Sequence, residues 1–148
     1  MKGGRKMAKP YLGVWIDHRE AYLIWLDESG EADVQHAEAE YPEEGQRAGR
    51  AIAGRGGAYG AVAPHMHLEE KQRREAKRFY DKLFRAMRTA ERVYIFGPGK
   101  AREELSKRLR EHKDFTGHVL AVEGAEKMTH AQMAARVRSF FGLRRAAV

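Results

Sequence analysis

Apolar residues recur along this chain in two rhythms. Between positions 11 and 37 they come in short, dense runs: Tyr11-Leu12-Gly13-Val14-Trp15-Ile16 stops at the polar turn Asp17-His18-Arg19-Glu20, and Ala21-Tyr22-Leu23-Ile24-Trp25-Leu26 follows almost without a polar break. A continuous apolar run of this length predicts a strand buried on both faces. The turn Asp27-Glu28-Ser29-Gly30 leads to a weaker alternation around Ala32, Val34 and Ala37, so three strands joined by short turns form an antiparallel meander. Later the period lengthens. Ala76, Phe79, Tyr80, Leu83, Phe84, Met87 and Ala90 fall three and four residues apart, which predicts a helix from about His67 to Ala90 with one apolar face. Arg92–Gly97 then reads as a strand, and Pro98-Gly99 opens a helix with Ala101, Leu105 and Leu109 on one stripe. His118–Val122 is another strand. Thr129 is placed to cap a last helix running to Phe141, with Gly142 as its stop.

The predicted order is βββ-α-β-α-β-α. Alternating strands and helices imply parallel strands with right-handed crossovers, so the expected fold is α/β, a mixed five-stranded sheet with helices on its faces. That arrangement resembles the ribonuclease H-like one. At 148 residues the chain has the length of one domain with a single core. It is expected over 11–142, with 1–10 as a flexible basic arm and 143–148 as a tail. Trp15, Trp25, Phe140 and Phe141 are assigned to the core. The long connection over 41–66 stands apart, because loops of that length in compact domains usually have a function of their own.

Charge narrows the range of partners. Lys and Arg number 28 against 21 Asp and Glu, a net charge of +7, which favours nucleic acid, an anionic membrane surface or an acidic protein. Nucleic acid leads of the three. The absence of cysteine excludes disulfides, thiolate catalysis and cysteine-based metal centres. With no signal-type apolar segment and no run long enough to span a bilayer, a cytoplasmic protein with no membrane partner is expected.

Much of the positive charge is concentrated around the long connection. Arg47, Arg50 and Arg55 lie among the glycines 49, 54, 56, 57 and 60, and no acid intervenes before Glu69. Glycine permits close backbone approach to a partner, and guanidinium groups fork onto phosphate oxygens. The helix that follows carries Lys71, Arg73, Arg74, Lys77, Arg78, Lys82, Arg85 and Arg88 opposite its apolar stripe. The expected RNA contacts are therefore Arg47, Arg50, Gly54, Arg55, Gly56 and Gly57 from the loop and Lys71, Arg73, Arg74, Lys77 and Arg78 from the helix. The plainer alternative is a solvated linker that happens to be rich in glycine.

The segment Gly54-Arg55-Gly56-Gly57, then Ala58, Tyr59 and Gly60, leads into a helix containing Lys71-Gln72-Arg73-Arg74. It resembles the middle domain of eukaryotic and archaeal class-one peptide release factors, Pelota-like relatives included, and the small bacterial translational-machinery-like proteins grouped with it. In that family a Gly-Arg-Gly-Gly-Gln loop lies between a β-meander and a long charged helix. Val93-Tyr94-Ile95-Phe96-Gly97-Pro98-Gly99 and Glu103-Glu104-Leu105 extend the likeness, which covers about Tyr11 to Phe141. The resemblance implies a loop that enters the ribosomal peptidyl-transferase centre, with ribosomal RNA or tRNA as partner and no cofactor. The family's glutamine positions a water against the peptidyl-tRNA ester, and Ala58 stands in its place here. A methyl group cannot orient that water, so no catalytic residue is assigned and ribosome binding without peptide release is expected. Gln46 lies earlier in the loop but lacks the preceding glycine pair.

Other candidates have plainer readings beside them. Gly97-Pro98-Gly99-Lys100 follows a strand and opens a helix, as a phosphate-binding turn does, yet it lacks the P-loop pattern and also suits a tight connection. His65-Met66-His67 with Glu69 and Glu70 lacks defined zinc-site spacing, so no metal is assigned. Asp17 ends the first strand where ribonuclease H-like nucleases place a metal-binding carboxylate. Only Glu123 offers a second acid at a strand end, and the turn-forming role is favoured for Asp17. Two alternative functions remain: an enzyme, either a peptidyl-tRNA hydrolase working through a displaced glutamine or a nuclease, and a basic adaptor for an acidic protein.

Overall fold

The computed structural model of the chain describes residues 9–40 and 63–144. Its elements follow the expected order: β1 (Tyr11–Ile16), β2 (Glu20–Leu26), β3 (Ala32–Glu38), α1 (Ala63–Met87), β4 (Arg92–Gly97), α2 (Ala101–Glu111), β5 (His118–Gly124) and α3 (His130–Phe141). The sheet runs β3-β2-β1-β4-β5. β1–β2 and β2–β3 pair antiparallel, while β1–β4 and β4–β5 pair parallel. This is the mixed five-stranded, ribonuclease H-like sheet. No helix among the described residues is long and apolar enough to cross a membrane.

Alternation along the central strands builds two cores. Leu12, Val14, Ile16, Leu23, Trp25, Val93 and Ile95 point to one face, where Phe79, Leu83 and Met87 of α1 and Leu105 and Leu109 of α2 cover them. Trp15, Ile24, Leu26, Tyr94 and Phe96 point to the other, beneath Met133, Ala134 and Val137 of α3. Both tryptophans are buried, as expected of strands covered on both sides. Phe140 and Phe141 are only half-buried and pack at the rim of the second core as α3 ends, Phe140 stacked on Tyr94 at 4.1 Å and Phe141 against Tyr11 at 5.0 Å.

Local signals fix the helix ends. Thr129 accepts a hydrogen bond from Gln132 N while the Gln132 side chain accepts from Thr129 N, a reciprocal cap, and Gly142 closes α3 in the left-handed conformation at φ 69°. α1 begins at Ala63, four residues before the apolar period becomes visible, with Pro64 in its first turn. There a missing N–H costs no helical hydrogen bond. The helix ends at Met87, and Ala90 N bonds back to Met87 O in the turn that follows. β5 is an edge strand with a register shift: Val93 faces Val119 and Tyr94 faces Ala121, which leaves Leu120 as an extra residue that is 51% exposed. Such bulges discourage further pairing at an open edge.

Candidate nucleic-acid interface

α1 presents a cationic surface on a rigid base. Phe79, Tyr80, Leu83 and Met87 are buried against the sheet, while Lys71, Arg73, Arg74, Lys77 and Arg78 are all exposed on the outer side. Lys82, Arg85 and Arg88 extend the exposed row. From Lys71 to Arg85 the row covers about 21 Å of helix axis. That reach suits several phosphates in succession rather than one small anion. Two contacts temper it: Arg78 pairs with the Glu75 carboxylate at 3.2 Å, and Lys82 Nζ donates to the Glu38 backbone carbonyl at 3.2 Å.

Ring contacts hold the helix in place. The Arg108 guanidinium of α2 lies 4.8 Å from the Tyr80 ring centroid, and Phe84 stacks on His112 at 3.5 Å with the planes 13° apart. Phe84 also meets Phe115 edge-on at 6.3 Å. A cationic row supported this way needs little ordering when a polyanion arrives. Arg47, Arg50, Gly54, Arg55, Gly56, Gly57 and Ala58, with Gln46, lie outside the described residues. So does the side chain of His65, while His67 is exposed near the start of α1.

The turn over Gly97, Gly99 and Lys100 has a backbone explanation. Gly97 adopts φ +150°, and a Cβ there would run into the Ile16 carbonyl. Arg102 folds back over the turn, donating to Gly97 O at 3.1 Å and to Gly99 O. Glu103 and Glu104 occupy the first turn of α2, where they complement the helix dipole and oppose an added anion. Lys100 is exposed beside them.

Asp17 and Glu123 each have local work. Asp17 Oδ1 accepts from Arg19 N and Glu20 N, both at 2.8 Å, an aspartate-centred turn. Glu123 Oε1 accepts from the Tyr94 hydroxyl at 2.6 Å and from Arg136 at 3.2 Å, and these bonds, that of Tyr94 foremost, hold its pKa below the usual glutamate value. Burial foremost raises the Tyr94 pKa. Arg136 Nε in turn donates to the Tyr94 hydroxyl at 2.8 Å, so the network ties α3 to β4 and β5.

Sequence reasoning missed a second polar cluster, on the face carrying α3. Glu20, Tyr22, His36 and Glu38 meet there across β2 and β3. Lys127, from the connection between β5 and α3, reaches Glu20 Oε2 at 2.6 Å. The signal was available: the turn over 27–30 sets the hairpin register, and that register places Glu20 opposite Glu38 and Tyr22 opposite His36.

No family model matches the chain, and no curated protein matches its sequence. Among solved structures the chain is similar to an archaeal translation termination factor, aRF1, at a TM-score of 0.43 and 12% identity. That match covers 89% of this chain and 39% of the other, so the chain spans well under half of that protein's length.

Proposed function

We propose that this protein binds structured RNA of the translation machinery, ribosomal RNA or tRNA, in the manner of a release-factor middle domain but without peptide release. The observation that carries the reading is the row Lys71, Arg73, Arg74, Lys77 and Arg78, exposed along one side of a helix whose other side is locked into the core. The segment Gly54-Arg55-Gly56-Gly57 enters this helix directly along the chain and supports the ribosome as the address, by its resemblance to the release-factor loop. Ala58 supplies no group to position water, so hydrolysis forms no part of the proposal. A stalled or dormant ribosome, which needs occupancy rather than termination, fits a loop of this composition.

Salt dependence of ribosome binding tests it. Each phosphate contact contributes a slope of roughly 0.7 to 0.9 in the logarithm of affinity against the logarithm of salt. Replacing Lys71, Arg74 and Lys77 together by Gln is expected to flatten that slope by about 2 to 3. The Arg50→Ala/Arg55→Ala double variant is expected to weaken co-sedimentation at every salt concentration. Wild type and both variants sedimenting alike across the salt series would remove the proposal.

A further inference from the structure

The β2–β3 hairpin brings three metal-type donors together on the sheet face opposite α1. Glu20 and Glu38 are direct partners across the ladder, and His36 sits one pair further along on the same face, opposite Tyr22. One donor atom from each, an imidazole nitrogen and two carboxylate oxygens, lies within 4.8 Å of the others. His36 Nε2 is already 2.8 Å from Glu20 Oε1.

Two carboxylates set directly across an antiparallel ladder repel one another. Lys127 offsets one of them, Glu20, at 2.6 Å, while no cation among the described residues pairs with Glu38. The imidazole is held rather than free to swing: its ring stacks on Tyr22 at 4.5 Å with the planes 15° apart, and Tyr22 is backed by His130 at 4.6 Å. The Tyr22 hydroxyl donates to Glu20 Oε1 at 3.2 Å. Hydrogen bonds of this kind to a ligating carboxylate orient metal ligands in established sites.

The geometry points to a site for a first-row divalent cation, zinc above all, bound by Glu20, His36 and Glu38. Zinc bonds of about 2.1 Å in a tetrahedron set the donors about 3.4 Å apart. Glu20 and His36 are already closer than that, and the exposed Glu38 side chain has only to rotate inward. One imidazole with two carboxylates suits zinc better than magnesium, which prefers an all-oxygen octahedron. Three protein ligands on an open surface leave a position for water or for an oxygen of another molecule. This site lies across the sheet from α1 and stands independently of RNA binding.

Calorimetric titration of the full chain with zinc in a non-chelating buffer is the test, with circular dichroism confirming that each variant is folded. The chain has seven histidines, so His65→Ala/His67→Ala serves as the control for adventitious binding. One equivalent of zinc is expected to bind, with the affinity kept in that control and weakened at least about tenfold in His36→Ala and in Glu38→Gln. Glu38 is exposed and Gln matches its shape, so this second variant decides the matter even where His36→Ala destabilises the hairpin. Wild type that takes up no zinc, binding unchanged in Glu38→Gln, or binding lost in the His65/His67 control would each overturn the assignment. Zinc binding retained by the Lys71/Arg74/Lys77 variant separates this outcome from that of the RNA proposal.

Discussion

Asp27 shows what a single side chain contributes at the end of a strand. It is buried, and its Oδ1 accepts from the Ser29 hydroxyl at 2.6 Å, from Ser29 N at 2.9 Å and from Glu31 N at 3.0 Å. The Ser29 hydroxyl foremost, with the two backbone N–H groups, holds its pKa below the ordinary aspartate value against the opposing effect of burial. Because the folded pKa is the lower one, the stabilisation is complete above the unfolded value. It is lost as pH falls through the folded pKa. Asp27→Asn keeps the shape but removes the charge, and is expected to cost about 1–3 kcal/mol near neutral pH. Thermal melts of both proteins should converge as pH falls from the ordinary aspartate value through the lower folded pKa, where the wild-type carboxylate becomes neutral too. A difference in Tm that stays constant down the pH series would show that the loss does not come from the carboxylate charge.

Between elements, α3 packs closely on β1. A Cβ on Gly13 would collide with both methyl groups of Val137, so the glycine lets the helix sit directly on the strand. Val137 is branched at Cβ and cannot swing aside. Gly13→Ala is therefore expected to destabilise the fold by roughly 1–3 kcal/mol through overpacking. Val137→Ala alone leaves a cavity, and the double variant should recover part of the combined loss. Denaturant unfolding of the four proteins measures that coupling, and strictly additive losses would mean that α3 shifts bodily instead. This contact also marks the limit of what the sequence made legible. β1, β2 and β4 were readable because strands buried on both faces leave unbroken apolar runs, and α1 because its stripe and its cationic row repeat within one segment. The start of α1 at Ala63 was not, since Pro64 and His65 interrupt the apolar spacing of the sequence there. The Gly13–Val137 contact and the Tyr94–Glu123–Arg136 network join residues far apart along the chain, and no local period announces them. Glu20, His36 and Glu38 lie between these cases. Each is an ordinary polar residue at an alternating position, and only the hairpin register makes them neighbours.

Across the whole molecule the positive charge is uneven, and that gives salt two opposite effects. With a net charge of +7 and much of it along α1, the free protein repels itself, and screening is expected to raise its Tm slightly. With RNA bound to α1 as proposed, the sign is expected to reverse. At a free RNA concentration a hundred times Kd, binding adds about 2.7 kcal/mol to stability. For a chain of this size each kcal/mol moves Tm by about 2–4 °C, giving a rise of roughly 5–10 °C. If the five cations from Lys71 to Arg78 each meet a phosphate, the slope is about −4.5, and a fourfold increase in salt lowers affinity about 500-fold. The same RNA concentration then falls below Kd and the added stability nearly disappears. Melts with and without ribosomal RNA at about 50 and 200 mM salt should thus show a large RNA-dependent rise at the lower concentration and almost none at the higher. The RNA-free Tm should drift upward over the same interval. A rise that survives the higher salt would mean that the RNA is held mainly by something other than this row of charges, and the role given to α1 would fall with it.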